Sequence, residues 1–163
     1  MSERDTDRGG LPDRAAVRAA LSIDRWSSAA ARTIDLTTTG ARSGRPRRIE
    51  IWFYRAGDDL YLTTTPARRH WYANVQVHPR IVVHLKHGVR ADLPATGVVI
   101  TDAVERERVL REIVEELRHP DNRGGVQAMV GAVDDWISGS PLVRIDLDDR
   151  SLLPGDRGGR PSA

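Results

Sequence analysis

Apolar side chains at every second position constrain this chain most, because a period of two is the period of a strand with one buried face. Ile34, Leu36 and Thr38 alternate with Thr33, Asp35 and Thr37, and Gly40 ends the run. A second segment, predicted over residues 47–54, alternates Ile49, Ile51 and Phe53 with Arg48, Glu50, Trp52 and Tyr54. Ala56-Gly57-Asp58 is a hairpin turn into a third strand over 60–65, which Pro66 stops. Ile81, Val83 and Leu85 mark a fourth strand. Residues 89–93 and 95–100 follow, as two strands or as one long strand bent at Pro94. Val143, Ile145 and Leu147 make the last. Short turns between strands imply antiparallel pairing. The regular β-α-β alternation of a parallel sheet is missing. About seven such strands close most economically into a whole or partly closed barrel, because closure removes exposed edges.

Helices fill the gaps. The alanine-rich stretch 12–32 predicts one N-terminal helix lying on the body through Val17, Leu21, Ile23 and Trp26. Charges scattered around it give little support to a membrane role. A short helix over 67–77 must end before His78-Pro79. Asp102 with Glu105 three residues on resembles a capping box. It opens a helix with Leu110, Ile113, Val114 and Leu117 on one stripe. A further helix over 125–137 carries Val126, Met129, Val130, Val133, Trp136 and Ile137 on one side. The result is a mainly β chain with α, with two helices before the last strand. Residues 1–10 and 148–163 are polar and predict a disordered N-terminus and a flexible tail around one domain spanning 11–147.

The chain has 163 residues and 39% apolar side chains, enough for one modest core. No apolar run approaches the ~20 residues of a spanning helix, and no integral membrane segment is expected. The first residues lack the apolar stretch of a secretory signal. With no cysteine, a disulfide framework, a thiolate metal site and a cysteine nucleophile are excluded, and a cytoplasmic location fits. His84-x-x-His87 makes a poor metal pair and reads as solvated surface, so no metal is expected. Lys86 is the single lysine among 25 cations, against 23 anions. A net charge of only +2 makes nucleic acid a weak candidate partner.

Arginine clusters where chemistry can use it. Arg42, Arg45, Arg47 and Arg48 fall within seven residues around a Ser43-Gly44 turn. Gly40 and Gly44 let backbone N–H groups approach a ligand, and successive N–H groups can form an anion nest. Arg42 with Arg47 or Arg48 can clamp a phosphate, with Ser43 donating. An exposed basic hairpin turn accounts for the spacing equally well. Arg68-Arg69-His70-Trp71-Tyr72-Ala73-Asn74 starts the short helix, where anions are favoured. Trp71 there suits core packing, and Asn74 suits satisfying buried backbone groups. No Ser-His-Asp arrangement can be singled out, and no catalytic residue is assigned.

The ordered combination resembles the deazaflavin-dependent nitroreductase and quinone reductase family, of the split β-barrel group that includes the pyridoxamine phosphate oxidases. The residues that carry it are Thr-Thr-Thr-Gly-x-Arg-Ser-Gly-x-Pro-Arg from Thr37, the Gly57-Asp58 hairpin, and Trp71-Tyr72-x-Asn74 leading to His78-Pro79. The resemblance implies a split antiparallel barrel of the FMN-binding type that binds coenzyme F-420, a deazaflavin with a phosphate-linked oligoglutamate tail. By position, Arg42, Ser43, Gly44, Arg47 and Arg48 would hold the phosphate. Thr63, Thr64 and Thr65 would lie by the ring, Arg68 would meet phosphate or tail, and Trp71 would stand beside the cofactor. The implied reaction is hydride transfer to a quinone, a nitroaromatic or another small electron-poor substrate. FMN fits the same turn as an alternative cofactor, and a non-catalytic barrel holding an anionic cofactor is an alternative function. A homodimer follows by analogy only. Two departures stand out: the segment 65–70 is shorter and richer in arginine than in relatives, and no tyrosine follows Tyr72, leaving Trp136 as the late aromatic.

Overall fold

The computed structural model describes residues 13–120, 122 and 132–154. Its strands are β1 (Thr33–Thr39), β2 (Pro46–Ala56), β3 (Asp59–Thr63), β4 (Arg80–Leu85), β5 (Ala91–Val99) and β6 (Leu142–Leu147). They close into a barrel in the order β1-β2-β3-β6-β5-β4, with every neighbouring pair antiparallel. The expected barrel is therefore present, with six described strands where about seven were expected. The difference lies at Pro94, which sits inside one continuous β5 opposite Val82. The Pro94 carbonyl accepts the N–H of Asp148 at 3.0 Å, one residue past the end of β6. N–H and C=O of a strand residue point the same way, so the missing N–H falls where β6 has already ended.

The alternation sorts side chains into two cores. Ile34, Leu36, Ile51, Phe53, Leu62 and Val83 belong to the first cluster. Val17 and Leu21 of α1 (Arg14–Leu21) join it, as do Trp71 and Val75 of α3 (His70–Val77). Tyr54, Ala56 and Tyr61 point the other way and pack against α4 (Ala103–Arg118) through Leu110, Ile113, Val114 and Leu117. Burying each such large apolar side chain stabilises the fold by about 1.5–3 kcal/mol. Burial pushes the Tyr54 phenol up to about 12.

Three boundaries differ from the sequence expectation. The single helix over 12–32 is instead α1 and a short α2 (Ala29–Arg32). Between them Asp24 accepts the Trp26 N–H at 2.8 Å, Ser27 accepts the Asp24 N–H at 2.9 Å, and Ser28 caps α2 by accepting the Ala31 N–H at 3.1 Å. Short polar side chains thus take up backbone donors that a continuous helix needs. β3 stops at Thr63, and α3 starts at His70, three residues later than expected. Asp102 caps α4 as read, accepting the Glu105 N–H at 2.9 Å. Val126, Met129 and Val130 lie outside the described residues. The end of the helix expected there is α5 (Val133–Gly139), which buries Trp136. After β6 the chain packs back onto the body, with Leu152 and Leu153 buried and Asp149 paired with Arg14 at 2.7 Å.

α3 is held close to the barrel by the absence of a side chain. A Cβ on Gly97 of β5 would lie 2.7 Å from Val75 Cγ1 and 3.1 Å from Val143 Cγ1. The Gly97 N–H also donates to the Pro79 carbonyl at 2.8 Å, just beyond the helix. This docking brings the start of α3 against the turn between β1 and β2.

Candidate functional site

The turn between β1 and β2 is built by its own backbone. Gly40 N–H donates to the Arg45 carbonyl at 2.8 Å, and Gly44 N–H to the Gly40 carbonyl at 2.9 Å. Gly44 has φ of 65°, the left-handed region that glycine enters without steric cost. Gly40 is tight for a different reason: a Cβ there would lie 2.3 Å from Ser43 Oγ. Arg45 N–H donates to that Oγ at 3.2 Å. Asn74 ties the turn to α3, its Oδ1 accepting the Ala41 N–H at 2.8 Å and its Nδ2 donating to Thr38 Oγ1 at 3.0 Å. Asn74 thus does what its position suggested. Most of the N–H groups that a nest would offer are engaged within the protein. Those of Arg42 and Ser43 have no acceptor among the described residues.

Register separates the arginines. Arg47 lies opposite Thr38 and Arg48 opposite Thr37, so the two occupy opposite faces of the sheet. Arg48 Nε donates to Asp35 at 3.0 Å on the outer face. Lys86 joins Asp35 at 2.8 Å and also pairs with Glu50. Lys86, assisted by Arg48, holds the Asp35 carboxyl below its ordinary range. Arg42, Arg47 and Arg68 are exposed, and none has a carboxylate within ion-pair distance among the described residues.

A cavity of about 1280 Å³ opens beside this turn. One wall is the turn itself, with Arg42, Ser43, Arg47 and Arg48. The start of α3 forms another, with Arg68, Arg69 and Trp71, and residues 138–141 with Arg106 form the third. Of the residues singled out in the sequence, Gly44, Thr63, Thr64 and Thr65 do not line it. The Thr63 hydroxyl is buried and donates to the Pro141 carbonyl at 2.6 Å. Thr65 Oγ1 accepts from Arg69 at 2.9 Å. Thr64 Oγ1 is buried with no partner. Trp71 is both core and wall: it is 5% exposed, packs edge-on to Tyr72 and leaves Nε1 buried without an acceptor.

Sequence reasoning missed the third wall. Arg106 Nη2 donates to the Ile137 carbonyl at 3.0 Å and the Ser140 carbonyl at 2.7 Å, and Nη1 to Ile100 at 3.3 Å. Nothing local marks this residue, which is one of several arginines on an amphipathic helix. It also missed a line of three groups: Thr37 Oγ1 lies 2.7 Å from His84 Nε2, and His84 Nδ1 lies 2.6 Å from Asp92. His84 is therefore a buried, hydrogen-bonded residue and not the solvated surface expected from sequence. This trio does not line the cavity. Its threonine sits in mid-strand between β2 and β4, where backbone donors belong to the ladders and none remains for an oxyanion.

A family model described as F420H(2)-dependent quinone reductase matches residues 23–125. Among solved structures, a conserved hypothetical protein from Mycobacterium tuberculosis is similar, with a TM-score of 0.59 at 18% identity, covering 93% of this chain and 94% of that one. General Stress Protein 26 from Bacillus anthracis str. Sterne gives 0.54 at 13% identity, covering 83% and 88%. A FAD-binding protein from Mesorhizobium loti gives 0.51 at 13%, again covering 83% and 88%. At these identities the structures share the fold. No curated protein matches the chain. No helix among the described residues is long and apolar enough to cross a membrane.

Proposed function

The chain belongs to the F420H(2)-dependent quinone reductase family, a family of oxidoreductases, and on that premise we propose that its cavity holds coenzyme F-420 by the phosphate and serves reduction of a small electron-poor acceptor, a quinone or a nitroaromatic compound. One observation carries the proposal. Three guanidinium groups without carboxylate partners among the described residues, Arg42, Arg47 and Arg68, line the same cavity as Ser43. Like charges gathered without counter-ions repel one another, so an anion between them relieves that repulsion and gains charge-assisted hydrogen bonds. The N–H groups of Arg42 and Ser43 and the Ser43 hydroxyl are the neutral donors beside them. Arg48 has one N–H committed to Asp35 and adds charge at the rim.

When bound, the reduced deazaflavin supplies the hydride. The protein's part is to bind, orient and exclude water. Asn74 fixes the phosphate turn against α3, and α3 is fixed against β5 by the space at Gly97. Of the three threonines expected near the ring, none lines this cavity; Thr63 has given its hydroxyl hydrogen to Pro141, while those of Thr64 and Thr65 have no acceptor among the described residues. FMN, whose phosphate is also an anion, suits the same clamp, and binding without turnover is the further alternative.

Titration of the purified protein with F-420 tests the proposal. Arg42→Ala and Arg47→Ala are each expected to cost ~1.5–3 kcal/mol of binding, a loss of about 10- to 150-fold in affinity. Unchanged affinity in both variants removes the phosphate site. Tight FMN binding with no F-420 binding reverses the cofactor assignment. Bound reduced F-420 that no quinone or nitroaromatic reoxidises turns the protein into a carrier.

A further inference from the structure

The third wall of the cavity carries a charge that neither the protein nor the cofactor phosphate accounts for. Arg106 is partly buried, and no carboxylate lies within ion-pair distance of it among the described residues. Of its five N–H groups three reach main-chain carbonyls, at Ile100, Ile137 and Ser140. Two have no protein acceptor among the described residues. Beside it Ser140, 3% exposed, has a buried hydroxyl with no partner among the described residues, although its own carbonyl is held by Arg106. Trp71 Nε1 and Arg69 Nε, on the adjoining wall, are likewise buried without acceptors among the described residues. Buried polar groups in folded proteins are nearly always paired. Three buried donors without acceptors, together with the two spare N–H groups of Arg106, sit on four residues that line the cavity, and a ligand that brings acceptor oxygens would complete them.

We propose that Arg106, with Ser140 beside it, receives the acceptor oxygen of the substrate, and that its uncompensated charge selects quinones bearing an ionised hydroxyl. The inference rests on the reductase reading of the cavity. In the reaction, hydride from the reduced deazaflavin adds to a ring carbon conjugated with a carbonyl. The electrons of the C=C bond shift, the π bond of the C=O breaks, and its electron pair becomes a lone pair on oxygen. That oxyanion lies against Arg106 and Ser140 until a proton from water restores neutrality. The substrate has then gained two electrons and two hydrogens. Donors placed where negative charge develops need no reorganisation during the step.

Binding to the ligand-free protein tests this without turnover. The probes are 2-hydroxy-1,4-naphthoquinone, an anion at neutral pH, and 2-methyl-1,4-naphthoquinone, which is neutral, with tryptophan fluorescence or calorimetry as readout. Wild type is expected to prefer the anion about tenfold. Arg106→Gln should bring that ratio to about one, and Arg106→Lys, which keeps charge without the fork, should restore part of it. Ser140→Ala should weaken the anion about threefold while the ligand-free Tm holds or rises, because an unpaired buried hydroxyl is removed. A purely structural Ser140 would lower Tm and leave the ratio alone. An unchanged ratio in folded Arg106→Gln overturns the proposal. So does an unchanged anion affinity in Ser140→Ala, which also decides the matter if Arg106→Gln does not fold. Loss of the preference in Arg42→Ala, with Arg106→Gln unaffected, would place the probe at the phosphate end and equally overturns it. Failure of F-420 titration with the naphthoquinone ratios intact would sink the cofactor reading alone.

Discussion

Asn74 offers the sharpest separation of folding from binding. Its amide serves two clients at once, accepting the Ala41 N–H and donating to Thr38 Oγ1, and it is 8% exposed. Asn74→Ala leaves both without partners, and each unsatisfied buried group costs ~1–3 kcal/mol. Ala41 is only partly buried, so water can reach one of the two. The sum belongs near the lower end, about 2–3 kcal/mol. For a chain of this size that lowers Tm by ~4–12 °C. Asn74→Asp behaves differently. A carboxylate still accepts the Ala41 N–H, and the Thr38 hydroxyl can rotate to donate to it, so the hydrogen bonds survive. A negative charge now stands one residue from the Arg42 side of the turn, where the phosphate is to bind. The expected result is a Tm loss well below that of Asn74→Ala but a larger loss of F-420 affinity. Differential scanning calorimetry and cofactor titration on both variants read the two effects separately. If both variants lose Tm equally and bind F-420 equally, Asn74 does not couple the turn to α3 and the mechanism is wrong.

Other expectations follow from the same contacts. Gly97→Ala places a methyl 2.7 Å from Val75 Cγ1 and should cost ~1–3 kcal/mol by overpacking; adding Val75→Ala should recover most of it, and no recovery in chemical denaturation would show that α3 is not docked there. Gly40→Ala drives Ser43 Oγ out of the turn and detaches it from Arg45 N–H, so phosphate binding should weaken with a stability loss of only about 1 kcal/mol, checked by titration and urea melts. Arg14, which also bonds Ser151, holds the Asp149 carboxyl down at about 2 from its ordinary 3.8. A lowered folded-state value means the pair's contribution is complete above pH ~4 and is lost as pH falls toward about 2. Amide exchange in α1 should quicken across that window, and Arg14→Gln should abolish the extra acid sensitivity.

What the sequence made legible depended on the range of the interactions. Ile49, Ile51 and Phe53 revealed β2 because strand alternation is written in adjacent residues. Asp102 and Glu105 revealed the start of α4 because a cap is local too. The break between α1 and α2 is masked by alanine content, which favours one helix, while the Asp24, Ser27 and Ser28 side chains hold the backbone out of it. Pro94 left one strand or two open in the sequence, because the choice depends on β6 ending beside it, a contact made across about fifty residues. The arginine turn was visible because its members lie within seven residues. Arg106 and Ser140 were invisible for the opposite reason: they meet only after α4 and α5 have packed.

A common physical thread joins the two ends of the cavity. Away from the cavity, the buried Thr63 hydroxyl is paired with Pro141, while Arg32 Nε, Thr64 Oγ1 and Trp136 Nε1 find no partner among the described residues. On the cavity wall Ser140 Oγ, Trp71 Nε1 and Arg69 Nε lack acceptors, and Arg42, Arg47 and Arg68 lack counter-ions, among the described residues. Such groups destabilise the ligand-free protein, and their retention makes sense where a ligand completes them. The consequence has a sign. Neutralising Arg68, which lines the same cavity as Arg42 and Arg47, should raise the ligand-free Tm by relieving repulsion and should reduce the stabilisation that added F-420 confers. In an ordinary surface arginine those two readings would not move in opposite directions. A paired thermal-shift series on Arg68→Gln, with and without cofactor, distinguishes the cases. A lower ligand-free Tm with undiminished cofactor stabilisation would mean that Arg68 supports the fold and has no part in holding the anion.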